Sequence, residues 1–107
     1  MRRVYHKFKA KPVTDDGHRF SSTLEWKYFN HLKMLQKAGE VLFSLRQPTF
    51  HLPGGVRYAA DYQIFTTDGR VRFVDVKGLE LETFKIKKRI VESIYPVEIE
   101  VIKKEDF

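Results

Sequence analysis

No cysteine occurs in this chain of 107 residues. Disulfides and thiolate metal sites are thereby excluded, which fits a reducing compartment. Long apolar runs are missing too, and nothing approaches the roughly 20 residues that a membrane-spanning helix needs. The opening "MRRVYHKFKAK" has the charge of a signal peptide but no apolar stretch behind it. A soluble cytoplasmic protein with no membrane partner is therefore expected. Four histidines, at 6, 18, 31 and 51, lack zinc-ligand spacing. Acids are scarce relative to bases, 14 against 20, which leaves a net charge of +6. That imbalance favours a polyanionic partner, nucleic acid or an acidic membrane surface.

Apolar residues make up 42% of the chain and charged residues 32%, the balance of a globular protein rather than a disordered one. The length suits one domain, residues 1–107, around one core. Residues 1–12 form a basic arm in which Arg2, Arg3, Lys7, Lys9 and Lys11 alternate with Tyr5 and Phe8. It is either a solvated tail or a segment that lies on phosphates. Residues 13–21 read as a small hairpin about Asp16-Gly17.

"SSTLEWKYFNHLKMLQKAGE" predicts a helix that Ser22 caps, with Glu25 three residues on, and that Gly39 ends. Leu24, Tyr28, Leu32 and Leu35 share a face, and Glu25 projects into it. Glu25 is either a capping-box residue or a functional acid facing the core. "VLFSLRQPTFHL" reads as one strand with a bend or edge at Gln47-Pro48. Two strands follow, roughly 56–66 and 70–77, then a helix over "TFKIKKRIVESIY" and a last strand at "VEIEV". In that second helix Phe84, Ile86, Ile90, Val91, Ile94 and Tyr95 form the apolar side. Lys85, Lys88 and Arg89 form the other, either merely solvated or tracking a nucleic-acid backbone.

Three charges stand out, because Asp61, Asp75 and Lys77 interrupt apolar strand sequence. An unpaired buried charge there costs several kcal/mol or shifts its pKa. The turn decides where they go. A two-residue loop at Asp68-Gly69 sends Asp61 and Asp75 to opposite faces. A three-residue loop, Thr67 to Gly69, sets them directly opposite each other, with Ala59 opposite Lys77. The bland alternative is an Asp75–Lys77 ion pair on a solvated face with Asp61 as a polar strand end. Converging carboxylates point instead to a divalent cation with oxygen ligands, Mg²⁺ first, with Mn²⁺ as a substitute.

"AADYQI…FVDVKG", behind a helix bearing a glutamate, resembles the PD-(D/E)XK nuclease superfamily, with Ala60 in place of the signature proline. The order αβββαβ is similar to that superfamily's core and implies an α/β fold: a mixed central sheet flanked by helices, with a short N-terminal arm and hairpin. "DGHRFSSTLEWKYFNHLKMLQKAGEV", "LRQPTFHL" and "FKIKKRIVESIYPVEIEV" look like a small phage-encoded branch linked to Holliday-junction resolvases. The resemblance implies Asp61 and Asp75 as metal ligands with the Val76 carbonyl, Lys77 at the attacking water, and Glu25 completing the site. Gln47 matches a recurring Gln-Pro and is carried over as a substrate contact. It further implies a homodimer acting on branched DNA in the host cytoplasm, leaving 5′-phosphate and 3′-hydroxyl ends. Rival readings are a same-fold nuclease with another DNA substrate, such as a repair nickase or transposon-end cutter, and a noncatalytic nucleic-acid-binding module.

Overall fold

A computed structural model describes residues 12–15 and 17–107. Helix α1 (Thr23–Lys37) begins where Ser22 is extended and its Oγ accepts the Glu25 N–H at 3.0 Å. It ends where Gly39 turns left-handed, φ +84°. Before it, β1 (Val13–Asp15) pairs antiparallel with β2 (His18–Phe20). After it come β3 (Val41–Arg46), β4 (Thr49–Leu52), β5 (Val56–Ala59), β6 (Tyr62–Thr66), β7 (Val71–Val76), α2 (Glu82–Ile94) and β8 (Ile99–Ile102). The fold is α/β. Its central sheet runs β3-β6-β7-β8, antiparallel except where β8 lies parallel to β7. Parallel neighbours need a crossover, and α2 supplies it. The strands and helices of this core follow the order expected from the sequence.

Two expected strands prove discontinuous. "VLFSLRQPTFHL" breaks at Gln47, whose φ of +58° is left-handed, and at Pro48, which lacks an N–H. The chain thereby leaves the central sheet, and β4 pairs with β5 as a separate ribbon. The stretch 56–66 breaks likewise at Ala60-Asp61 on the return. The two breaks are tied to each other: Gln47 N–H donates to the Asp61 carbonyl at 3.0 Å, and Ala60 N–H to the Pro48 carbonyl at 3.0 Å. Asp61 therefore sits at the root of the ribbon. A non-glycine residue held left-handed carries strain of about 1 kcal/mol or more. Gln47 is exposed, so Gln47→Gly should raise stability by roughly 0.5–1 kcal/mol, read as a higher denaturation midpoint. A lower midpoint would mean that the Gln47 side chain itself holds the junction.

One face of the sheet packs Val41, Tyr62, Ile64, Val74 and Val76 against Tyr28 and Leu32 of α1. The other packs Phe73, Ile99 and Val101 against Phe84 and Val91 of α2 and against Phe50, Leu52 and Tyr58 of the ribbon. The apolar stripe of α2 is narrower than expected, since Ile86 and Ile94 are exposed. Lys87 and Lys88, in the turn between Phe84 and Val91, are half-buried instead. Phe43, Leu45 and Val71 stay exposed on the second face, with Phe43 stacked on Phe65 at 4.4 Å. No helix among the described residues is long and apolar enough to cross a membrane.

Candidate functional site

The turn between β6 and β7 takes the three-residue form. Thr66 N–H donates to the Arg70 carbonyl at 2.9 Å, Gly69 N–H to the Thr66 carbonyl at 3.1 Å, and Gly69 is left-handed at φ +90°. Thr66 Oγ1 also bonds Asp68 inside the loop. Tyr62 consequently pairs with Val74, and the register carries Asp61 to the level of Asp75. Both acids reach the second face of the sheet, at the end where β7 stops.

Asp61 lies in the bend just before β6 rather than in the ladder. Its N–H donates to the Val74 carbonyl at 3.0 Å, and its Oδ2 accepts the Val76 N–H at 2.8 Å. A residue's N–H and C=O point to the same side of an extended strand, so the Val76 carbonyl shares the Asp61 edge. Asp75 is 1% exposed, and its Oδ2 is buried without a hydrogen-bond partner. Its Oδ1 stands 3.9 Å from Lys77 Nζ, which also lies 4.5 Å over the Phe84 ring. Ala59 does not pair with Lys77 as expected. It belongs to the ribbon, and Lys77 N–H donates instead to the Ile102 carbonyl of β8 at 2.9 Å.

Burial pushes both carboxyls up, Asp61 and Asp75 each to about 6 from 3.8. For Asp61 the Val76 N–H pulls part of the way back and the Glu25 charge adds to the rise. For Asp75 the Lys77 ammonium does most of the pulling back. Two neighbouring acids that resist ionisation have a stored affinity for positive charge.

Glu25 is close enough to act on both acids through its charge, yet it is not a third open ligand. Its Oε1 accepts from Ser21 Oγ at 2.7 Å and Ser21 N–H at 3.2 Å, and its Oε2 accepts from Arg46 Nη2 at 3.0 Å. The reciprocal capping box with Ser22 is therefore only half formed. Among the described residues no group of three or more His, Cys, Asp or Glu side chains is arranged to hold a metal ion. Glu25 is thus already engaged, while the Asp61 and Asp75 carboxylates and the Val76 carbonyl are the oxygens left that could hold a cation. That set suits Mg²⁺, which keeps several waters and takes one or two carboxylates plus substrate oxygens. Asp75 Oδ2 is the oxygen among them that lacks a hydrogen-bond partner.

Arg46, which sequence reasoning passed over, holds Glu25 while its guanidinium lies 4.3 Å over the Phe20 ring. Tyr62 OH donates to the Glu25 carbonyl at 3.1 Å and fixes the same turn. The signal was faint: one cation at the end of an apolar strand, just before Gln47-Pro48. Glu25→Gln leaves a half-buried guanidinium without its anion and should cost on the order of 2 kcal/mol in denaturant unfolding. It should also lower the Asp61 pKa, because the Glu25 charge raises it. Unchanged stability and an unchanged pH profile would reduce Glu25 to a helix cap.

Of the remaining expected contacts, Gln47 borders the site through its bond to Asp61. Lys85 and Arg89 are exposed on α2. Lys88 pairs with Glu92 at 3.0 Å, and Glu92 Oε2 in turn accepts the Ile99 N–H at 2.8 Å. Arg2, Arg3, Lys7, Lys9 and Lys11 lie outside the described residues. Arg57 and Lys87, neither singled out from the sequence, line a hollow together with Lys77. A family profile described as protein of unknown function (DUF1064) matches residues 5–105. No curated protein matches the chain with significance.

Proposed function

The chain belongs to the DUF1064 family, and we propose that it is a divalent-metal-dependent endonuclease of the PD-(D/E)XK kind that hydrolyses DNA phosphodiesters. The carrying observation is the Asp75 carboxylate, 1% exposed with one oxygen unpartnered, beside Asp61 and Lys77. A module that only binds DNA gains nothing from a buried acid near phosphate, where it repels the ligand.

Asp61 and Asp75 would hold the cation together with the Val76 carbonyl. When bound, the cation neutralises the anionic phosphate and lowers the pKa of its water. The Val76 N–H fixes the Asp61 carboxylate so that its other oxygen is free to bind. Burial raises both carboxyls only to about 6, so each is mostly ionised at neutral pH and able to bind a cation. Lys77 is held between Asp75 and the Phe84 ring, where its ammonium can donate to the nucleophile or to the charge developing on phosphorus.

Branched DNA, a four-way junction above all, is the proposed substrate, on the resemblance to the resolvase-linked branch. A homodimer goes with it, since a two-fold assembly matches two symmetric cuts. Uncharged Phe43, Leu45, Phe65 and Val71 suit that self-contact on a chain otherwise charged +6. Labelled four-way junction, duplex and single strand, incubated with and without Mg²⁺, test the reading. The expected result is Mg²⁺-dependent cutting of the junction to 5′-phosphate ends. No cleavage of any DNA with Mg²⁺ or Mn²⁺ would overturn it.

A further inference from the structure

Beside the acid pair the surface opens into a hollow of about 340 Å³ between the ribbon and the start of α2. Arg57, Lys77 and Lys87 line it, and no acid does. Leu79 and Leu81 line it as well, 52% and 58% exposed in the loop that follows Lys77. The helix above it is uncapped: Leu81 is its extended N-cap and makes no side-chain bond to the first-turn amides. A helix start attracts anions, and Glu82 is the acid already in this first turn.

Three cations and two bare leucines in one hollow ask for a ligand that is anionic at one end and apolar at the other. We propose that the hollow takes a single nucleotide that has left the helical stack next to the scissile phosphate. Its phosphate meets Arg57, Lys87 and the first-turn amides, and its base lies against Leu79 and Leu81. The assignment rests on the nuclease reading above and deepens it into a rule of substrate choice. The volume is at the low end for small-ligand sites, of the order of one nucleotide and far too small for a duplex. Regular duplex presents phosphates there but keeps its bases stacked, so both leucines stay against water. Extruding a paired base costs a few kcal/mol, and least where the base is already mismatched or unpaired. A hollow of this kind therefore favours branched or distorted DNA over perfect duplex.

The test uses the full chain with Ca²⁺ in place of Mg²⁺, so that binding is read without cutting. Anisotropy titrations compare a four-way junction carrying 2-aminopurine at the branch with a perfect duplex of equal length. Wild type should prefer the junction by at least about tenfold, which corresponds to about 1.4 kcal/mol. Leu79→Ala/Leu81→Ala, at exposed positions that leave the core intact, should lose most of that preference and the 2-aminopurine signal while holding duplex affinity. Arg57→Ala/Lys87→Ala should weaken both DNAs and flatten the slope of log affinity against log salt by about 0.9 per lost contact. An unchanged junction preference in the folded leucine variant overturns the proposal, as does an unchanged salt slope in the cation variant. The outcomes also separate the two readings. Junction preference that depends on the leucines, with no cleavage in Mg²⁺, keeps the hollow and removes the nuclease. Indiscriminate cutting of junction and duplex keeps the nuclease and removes the hollow, and no binding to either DNA removes both.

Discussion

Asp75→Asn should abolish metal-dependent cleavage, at least about a hundredfold, and yet make the metal-free protein more stable at pH 8. The loss follows from removing the carboxylate whose buried oxygen has no other partner. The gain follows from its pKa, raised to about 6 from 3.8. Each tenfold loss of acidity on folding costs about 1.4 kcal/mol once the group is ionised, so holding Asp75 charged at pH 8 costs about 3 kcal/mol. An amide escapes this cost but leaves its own polar atoms poorly satisfied, so the net gain should be about 1–2 kcal/mol. For a domain of this size that is roughly 5–10 °C in the thermal midpoint. At pH 3.5 the wild-type carboxyl is protonated in the folded state and about two-thirds protonated in the unfolded chain, so nearly all of the charge penalty is gone and the advantage should vanish. DNA binding should persist or tighten, because a negative charge next to phosphate is gone. A variant that melts lower than wild type at pH 8 would contradict the electrostatics. One that still cleaves would contradict the site.

Metal affinity should fall steeply below pH 6. Both acids hold their protons in the folded protein to about 6, whereas the unfolded chain releases them near 3.8. Between about pH 4 and 6 the folded state therefore binds more protons than the unfolded state, and metal-free stability declines as pH rises through that window. The contribution of these two acids is greatest below the window and flat above it. A cation reverses the trend, since it binds the ionised pair and not the protonated one. From pH 7.5 to pH 5 each acid goes from almost fully ionised to about a tenth ionised, so affinity should drop on the order of 100-fold when both are ligands. Mn²⁺ titration calorimetry at the two pH values measures the drop, together with the protons released on binding. A drop of only about tenfold would leave a single acid as ligand, and equal affinities would leave neither.

The local chemistry of the backbone was readable in advance, and long-range partnerships were not. Ser22 and Gly39 announce the ends of α1 because caps and left-handed turns are set by the residues themselves. Thr67-Asp68-Gly69 allowed two turns, and only the whole sheet could choose: the three-residue form keeps Tyr62, Ile64 and Val74 on the α1 face. Gln47-Pro48 read as a bend, but nothing local says that the chain changes sheets there. That depends on the hydrogen bonds to Asp61 and from Ala60, which come from the far side of the ribbon. Glu25 looked inward correctly, since it is 2% exposed. Its partner Arg46 lies on another element, and nothing local to α1 announces that pair. On α2 the helical period separated apolar from basic residues too cleanly, because long lysine stems can lie on a core that isoleucines leave.

The parallel pairing of β7 with β8 bears on the order in which the molecule assembles. The β6–β7 hairpin closes through three residues and can form early from neighbouring contacts, with Asp75 still wet on one side. β8 reaches it only after α2 has crossed over and docked, a slow, non-local event. The electrostatic penalty on Asp75 accordingly falls late, near the native side of the barrier. Relief of that penalty, by asparagine or by a cation, should appear chiefly as slower unfolding, with the refolding rate little changed. A chain with this build would stay folded longest in whatever state holds a cation at Asp75.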